Sequence, residues 1–169
     1  INSLSLKPIC ENIENKITNK IKLIWQSFES LTKNQLYDIL NLRQKVFIIE
    51  QDCFYEDIDY FDQKAHHLLV YCNKSLIGYA RVFPPGIKYK SSSIGRIVVD
   101  KKYRGESFGK KITQEAIIFL KDKFINSDVC ISAQFRLVNF YENLGFETVG
   151  EVYLEDGIDH IKMIYQVSK

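Results

Sequence analysis

The stretch from Arg96 to Ile112, RIVVDKKYRGESFGKKI, constrains the fold more than any other in the chain. A run of β-branched apolar residues empties into an arginine, two glycines and a serine, and then resumes at helical spacing. A strand that enters a helix through a glycine-bearing turn leaves the first helical N–H groups unpaired beside a partial positive charge, an arrangement suited to a phosphate. Gly105 and Gly109 are equally accounted for as residues that only let the chain turn. The stretch by itself leaves both readings open.

Length and composition narrow what surrounds this turn. A chain of 169 residues with 46% hydrophobic residues suits one domain with a core of ordinary size. Its formal charge of +2, without a block of several consecutive cations, argues against a dedicated nucleic-acid binder. No run of about 18 apolar residues and no leader pattern is present, so a soluble, cytoplasmic protein without a membrane partner is expected. Cys10, Cys53, Cys72 and Cys130 lie far apart without metal-ligand spacing, which predicts reduced thiols and no zinc site. His66 and His67 are neighbours on an apolar strand and point to opposite faces, which gives them structural roles.

Pro8 with Ile9, Ile13 and Ile17 predicts a short helix in an N-terminal extension of residues 1–20. A strand is expected over Lys22–Phe28. Thr32 and Gln35 form a capping-box signature for a helix from Lys33 to Ile48, on which Leu36, Ile39, Leu40, Arg43 and Phe47 share helical spacing. The loop EQDCFYEDIDYFD follows. Its Asp57, Asp59 and Asp62 lack calcium-loop spacing, so the loop reads as solvated, with a charge that attracts a cationic substrate. HHLLVY and LIGYARVF form a hairpin, and Ser93 to Asp100 reads as an interior strand. A helix from about Ser107 to Phe124, the strand VCISAQ, a helix in RLVNFYENLGF ended by Gly145, and a terminal hairpin complete the order β, α, β, β, β, α, β, α, β, β.

Two common phosphate loops are excluded. The spacing from Gly105 to Gly109 is one residue short of a Walker A loop, and Lys110 is followed by Lys111 where Ser or Thr is required. The dinucleotide fingerprint fails because there is no second early glycine. An arginine-led turn remains.

Arg104, Gly105 and Gly109 resemble the Arg/Gln-x-x-Gly-x-Gly/Ala turn of the GCN5-related N-acetyltransferase (GNAT) superfamily. The preceding strand GRIVV and the later NFYENLGF stand in that superfamily's order. LYDILNLRQKVFIIEQDCFYEDID, GYARVF, ISAQ and EVYLEDGIDHIKM extend the resemblance to its ElaA-like branch, over residues about 31 to 165. One departure stands out: Ser107 occupies the place of the turn's first glycine, where a positive φ would strain a residue that carries a Cβ.

The resemblance implies an α+β (mixed α/β) fold over residues 21–169, with a central, mostly antiparallel sheet splayed between its fourth and fifth strands and flanked by helices. It implies acetyl-CoA as cosubstrate and a small-molecule amine or amino sugar as acceptor, with a homodimer left open. Backbone amides of Gly105, Glu106, Ser107, Phe108, Gly109 and Lys110 would hold the coenzyme's pyrophosphate, with Arg104 setting the turn. Ile97, Val98 and Val99 would pair their backbone with the pantetheine arm, and Gln134 would stand beside it. Tyr141 would protonate the leaving thiolate, since a phenol with a pKa near 10 is a suitable donor. A base to take the ammonium proton is expected among Glu50, His160 and Glu155. Two alternatives are a CoA-binding sensor that has lost catalysis and an acyl-homoserine-lactone-type acyltransferase.

Overall fold

The computed structural model describes residues 20–167. The short helix expected around Ile9, Ile13 and Ile17 lies outside them. Within them the chain runs β1 (Ile21–Ser27), α1 (Lys33–Arg43), β2 (His66–Cys72), β3 (Ser75–Phe83), β4 (Ser92–Val99), α2 (Phe108–Lys123), β5 (Val129–Gln134), α3 (Val138–Glu142), β6 (Phe146–Glu155) and β7 (Ile158–Tyr165). This is the expected order. The strands form one sheet, β1-β2-β3-β4-β5-β7-β6, in which only the β4–β5 pair is parallel. That pair meets at Ser92–Val129 and Ser93–Cys130 alone. Past those residues the two strands part, which is the splay that the sequence predicts.

Helices cover both faces of the sheet. Ile39, Leu42 and Val46 pack on Leu69, Tyr79 and Val98 from one side. On the other, Ile112, Ala116 and Leu120 of α2 pack against Leu68, Val70, Ala80 and Val82. Gly78 lets α2 approach β3 closely, since a Cβ there would lie 2.6 Å from Cδ1 of Ile112. The α1 start is capped as expected: Gln35 N–H donates to Thr32 Oγ1 at 3.1 Å and Thr32 N–H to Gln35 Oε1 at 2.9 Å. Its end differs. After Arg43 the helical hydrogen bonds lengthen by one residue over Gln44–Glu50, so that Gln51 N–H reaches the Val46 carbonyl and Cys53 N–H that of Ile48. Such wide turns re-aim side chains and recur at functional sites.

The three aspartates of the acidic loop are largely withdrawn from solvent. Asp57 and Asp62 are buried, and so are Arg43 and Arg81. Arg43 donates through Nε to Asp57 Oδ2 at 2.9 Å and through Nη1 to Asp62 Oδ1 at 2.9 Å. Arg81 grips Asp59 through Nη1 and Nη2 at 2.7 and 2.8 Å and reaches Asp62 at 2.9 Å. Arg96 donates to Asp57 Oδ1 at 2.7 Å. Three aspartates of one loop thus face three arginines from α1, β3 and β4. Their charge is neutralised from within, so it does not attract a cationic substrate, which corrects that expectation.

The interior strand also differs from its expected form. Tyr79 pairs with Val98 and Arg81 with Gly95, so Arg96 and Ile97 together oppose the single residue Ala80. This is a β-bulge, and Arg96 sits in it at φ 52°. Gly95 inside the strand is the sequence signal for it.

His67 belongs to the buried network. One ring nitrogen, Nδ1, lies 2.8 Å from Tyr79 Oη, and the other, Nε2, lies 3.0 Å from the Asp62 carbonyl. Burial pushes its pKa down to about 4. In the unfolded chain an imidazole protonates near pH 6.5, so acid favours unfolding there. The contribution is intact above about pH 6.5 and is lost as the pH falls towards 4, by on the order of 3 kcal/mol in full. Burial also lowers His66, in the same direction. Asp59, held far below the usual carboxylate range by Arg81 despite its burial, stays ionised throughout this window. Urea denaturation at pH 7.5 and 4.5 is expected to show the loss; equal unfolding free energies at the two values would contradict it.

Candidate active site

The turn after β4 is built from local constraints. Asp100 accepts from Lys102 N–H at 2.9 Å, which turns the chain out of the strand. Gly105 follows at φ 87°, with open space where a Cβ would stand. Ser107 adopts φ 61° and ψ 17° at the head of α2, and its side chain makes no capping hydrogen bond. Lys111 N–H donates to the Ser107 carbonyl at 3.1 Å, so the amides ahead of it in the first turn have no such partner four residues back. These N–H groups and the positive end of a 16-residue helix face one groove.

Ser107 therefore occupies the left-handed region that the sequence predicts as strained. Ser107→Gly is expected to raise the unfolding free energy by about 0.5–1 kcal/mol, and Ser107→Val to lower it by more than about 1 kcal/mol. Chemical denaturation measures both, and a destabilised glycine variant would refute the argument.

The groove, about 770 Å³, runs along Ile97–Val99 to Arg104, Gly105 and Ser107–Lys110, with Phe140 and Tyr141 of α3 on its far wall. Of the turn residues expected to meet the pyrophosphate, Glu106 is the one outside its lining. A second cavity of about 240 Å³ opens on the other side of the splay. Gln134 lies there, donating to Gln51 Oε1 at 3.0 Å and accepting from Arg136 Nε at 2.9 Å. Ile97, Leu137 and Tyr141 line both cavities, which places them where the two meet.

Tyr141 is buried, with its ring edge-on to Phe140 and Phe146 at centroid distances of 5.0 and 5.8 Å. Burial pushes its phenol pKa up to about 12. The base candidates are distributed unequally. His160 and Glu155 line the smaller cavity. His160 Nδ1 lies 2.8 Å from the Ile158 carbonyl, so that nitrogen carries the proton and Nε2 is left as the acceptor. Glu155 Oε2 accepts from Ser132 Oγ at 2.6 Å, and that Oγ lies 2.6 Å from Tyr153 Oη.

Glu50 lines neither cavity. It ends the widened helical segment and binds Arg104 through both oxygens, with Arg104 Nη2 at 3.0 Å from Oε2. The hydrogen bond from Arg104 holds its carboxyl below the usual range. Arg104 also donates through Nε to the Val99 carbonyl at 3.1 Å, so it joins the strand end to the widened helix.

Sequence reasoning missed Arg96, Gln51, Ser132 and Tyr153, which the structure brings to the smaller cavity or to a residue that lines it. A serine inside the apolar strand VCISAQ, directed at the splay, was the available signal for Ser132.

The sheet is split, with an amide-lined groove on one side of the fork and a small polar cavity on the other, an architecture that suits an acyltransferase. The chain belongs to the GNAT acetyltransferase family: the family model described as acetyltransferase (GNAT) domain matches residues 29–167. It is 37% identical to the ElaA protein of Escherichia coli over 147 residues, 85% of this chain and 96% of that one. The crystal structure of E. coli ElaA superposes with a TM-score of 0.82 at 35% identity, covering 87% of this chain and 100% of that one. An acyl-CoA N-acyltransferase from Pseudomonas aeruginosa gives a TM-score of 0.82 at 33% identity, over 86% and 99% of the two chains. The protein is thus an acyltransferase of the ElaA-like branch. Among the described residues no helix is long and apolar enough to cross a membrane.

Proposed function

We propose that the enzyme transfers the acetyl group of acetyl-CoA to a primary amine of a small molecule, such as an amino sugar, by direct attack on the thioester. The observation that carries this reading is that Tyr141 lines both cavities. The amides of Gly105 to Lys110 take the pyrophosphate, and the backbone of Ile97, Val98 and Val99 takes the pantetheine arm as an added strand. A freed amide at the β4 bulge polarises the thioester carbonyl.

The acceptor enters from the smaller cavity. Its amine loses a proton to Glu155 or to His160 Nε2, directly or through water, and attacks the carbonyl carbon. The C–N bond forms, the C–S bond breaks, and the thiolate takes the proton of Tyr141. Glu50, occupied by Arg104, serves as an anchor for the turn in preference to a base. Among the described residues Cys53, Cys72 and Cys130 are free thiols, which suits a cytoplasmic setting.

The test is release of free thiol from acetyl-CoA against a panel of amines, amino sugars, polyamines and lysine peptides, with coenzyme binding measured in parallel. Turnover of a small amine supports the proposal. Tight CoA binding with no turnover on any acceptor supports a sensor instead.

A further inference from the structure

Three guanidinium groups line the smaller cavity, those of Arg81, Arg96 and Arg136. Arg96 enters it from the β4 bulge, with Nε on Asp57 Oδ1, Nη2 near the Asp57 carbonyl and 3.8 Å from Asp59 Oδ2, and Nη1 without a hydrogen bond among the described residues. Arg136, at its rim, donates Nε to Gln134 and has no ion pair among the described residues. Deeper in, Arg81 is 2% exposed, and its Nε–H finds no acceptor; the hydroxyl of the equally buried Ser93 has no partner either. Both residues line the cavity. The carboxylates in its lining are Glu155, which holds the Ser132 hydroxyl, and Asp156, while Asp57, Asp59 and Asp62 meet Arg81 and Arg96 from outside the lining. Buried donors without acceptors are uncommon and call for a partner.

Resting on the transferase reading above, we infer that the acceptor is an amino acid: its carboxylate is held by Arg96 and Arg136 while its amine faces Glu155. A guanidinium suits this task because its planar fork of N–H groups matches a carboxylate's two oxygens. The bulge holds Arg96 at positive φ, uncommon for a residue with a Cβ, in the lining of the cavity. Size agrees. About 240 Å³ is below the roughly 300–1,000 Å³ of sites that take drug-sized ligands, and it suits a molecule with few heavy atoms beyond the two charged groups.

The experiment compares the standard L-amino acids with their C-terminal amides, which keep the amine and remove the anion. Thiol release from acetyl-CoA is measured for each pair, and binding of the same compounds is measured separately by calorimetry with CoA present. For the preferred side chain, kcat/KM for the free acid is expected to exceed that of the amide at least tenfold. Arg136→Gln is expected to bring the acid-to-amide ratio towards one, chiefly through KM, and Arg96→Gln to do so further. Circular dichroism checks the Arg96 variant, since that residue also meets Asp57. Turnover of acid and amide at equal efficiency overturns the inference and leaves the transferase standing. Calorimetric selectivity for the acid without turnover supports the inference and sinks the transferase. Absence of selectivity in both measurements overturns the inference.

Discussion

Arg43→Met is expected to lower the unfolding free energy by about 3–5 kcal/mol, although methionine fills much of the same volume. Arg43 is fully buried and donates to Asp57 Oδ2, to Asp62 Oδ1 and, through Nη2, to the Asp57 carbonyl at 2.6 Å. Removing it leaves two nearly dry carboxylates short of a counter-charge, and the penalty of an uncompensated buried charge exceeds what the intact pair contributes over an apolar replacement. The double variant Arg43→Met with Asp62→Asn is expected to recover part of the loss, because one stranded charge is gone. Urea denaturation of the two single variants and the double measures the coupling. A loss under about 1 kcal/mol for Arg43→Met would show that Arg81 and Arg96 satisfy the loop without it.

Tyr141→Phe is expected to lower kcat by roughly two to four orders of magnitude while stability changes little. The hydroxyl has no hydrogen-bond partner among the described residues and is not sealed in the core, so its loss strands nothing. The ring contacts with Phe140 and Phe146 persist in phenylalanine. A pKa of about 12 keeps the phenol protonated across the working range, so loss of this acid produces no fall in rate below about pH 11. The pH–rate profile of the wild type should accordingly rise with deprotonation of the base and the amine and then level off. Thiol release and thermal unfolding on the same preparations separate chemistry from folding. Equal kcat in the two proteins would remove Tyr141 as the acid and leave the fold unaffected.

The turn after β4 was legible because its demands are local. Gly105 and Ser107 need backbone angles that few residues tolerate, and the strand before and the helix after them announce themselves by periodicity. Tyr141 was singled out only through the resemblance; its spacing alone also fits a packed aromatic. The loop from Asp57 to Asp62 was misread because its partners come from Arg43, Arg81 and Arg96, three positions that no local pattern connects. A charged residue on the apolar face of α1 was the one hint, since an arginine there must find anions or leave the core. The widened end of α1 was invisible for a related reason. Its residues, QKVFIIE, carry no glycine or proline that would mark a change of hydrogen-bond step.

The two-pair junction between β4 and β5 has a mechanical consequence. Four strands on one side and three on the other are clamped at one end and open at the other, so the sheet behaves as a pair of tweezers whose jaws bear on whatever lies between them. On the proposed reading, an extended thioester laid in the gap would supply the rungs that the ladder lacks, and the same act would stiffen the jaws around the reacting carbon. Grip and alignment would then arrive together, from the material that is to be consumed.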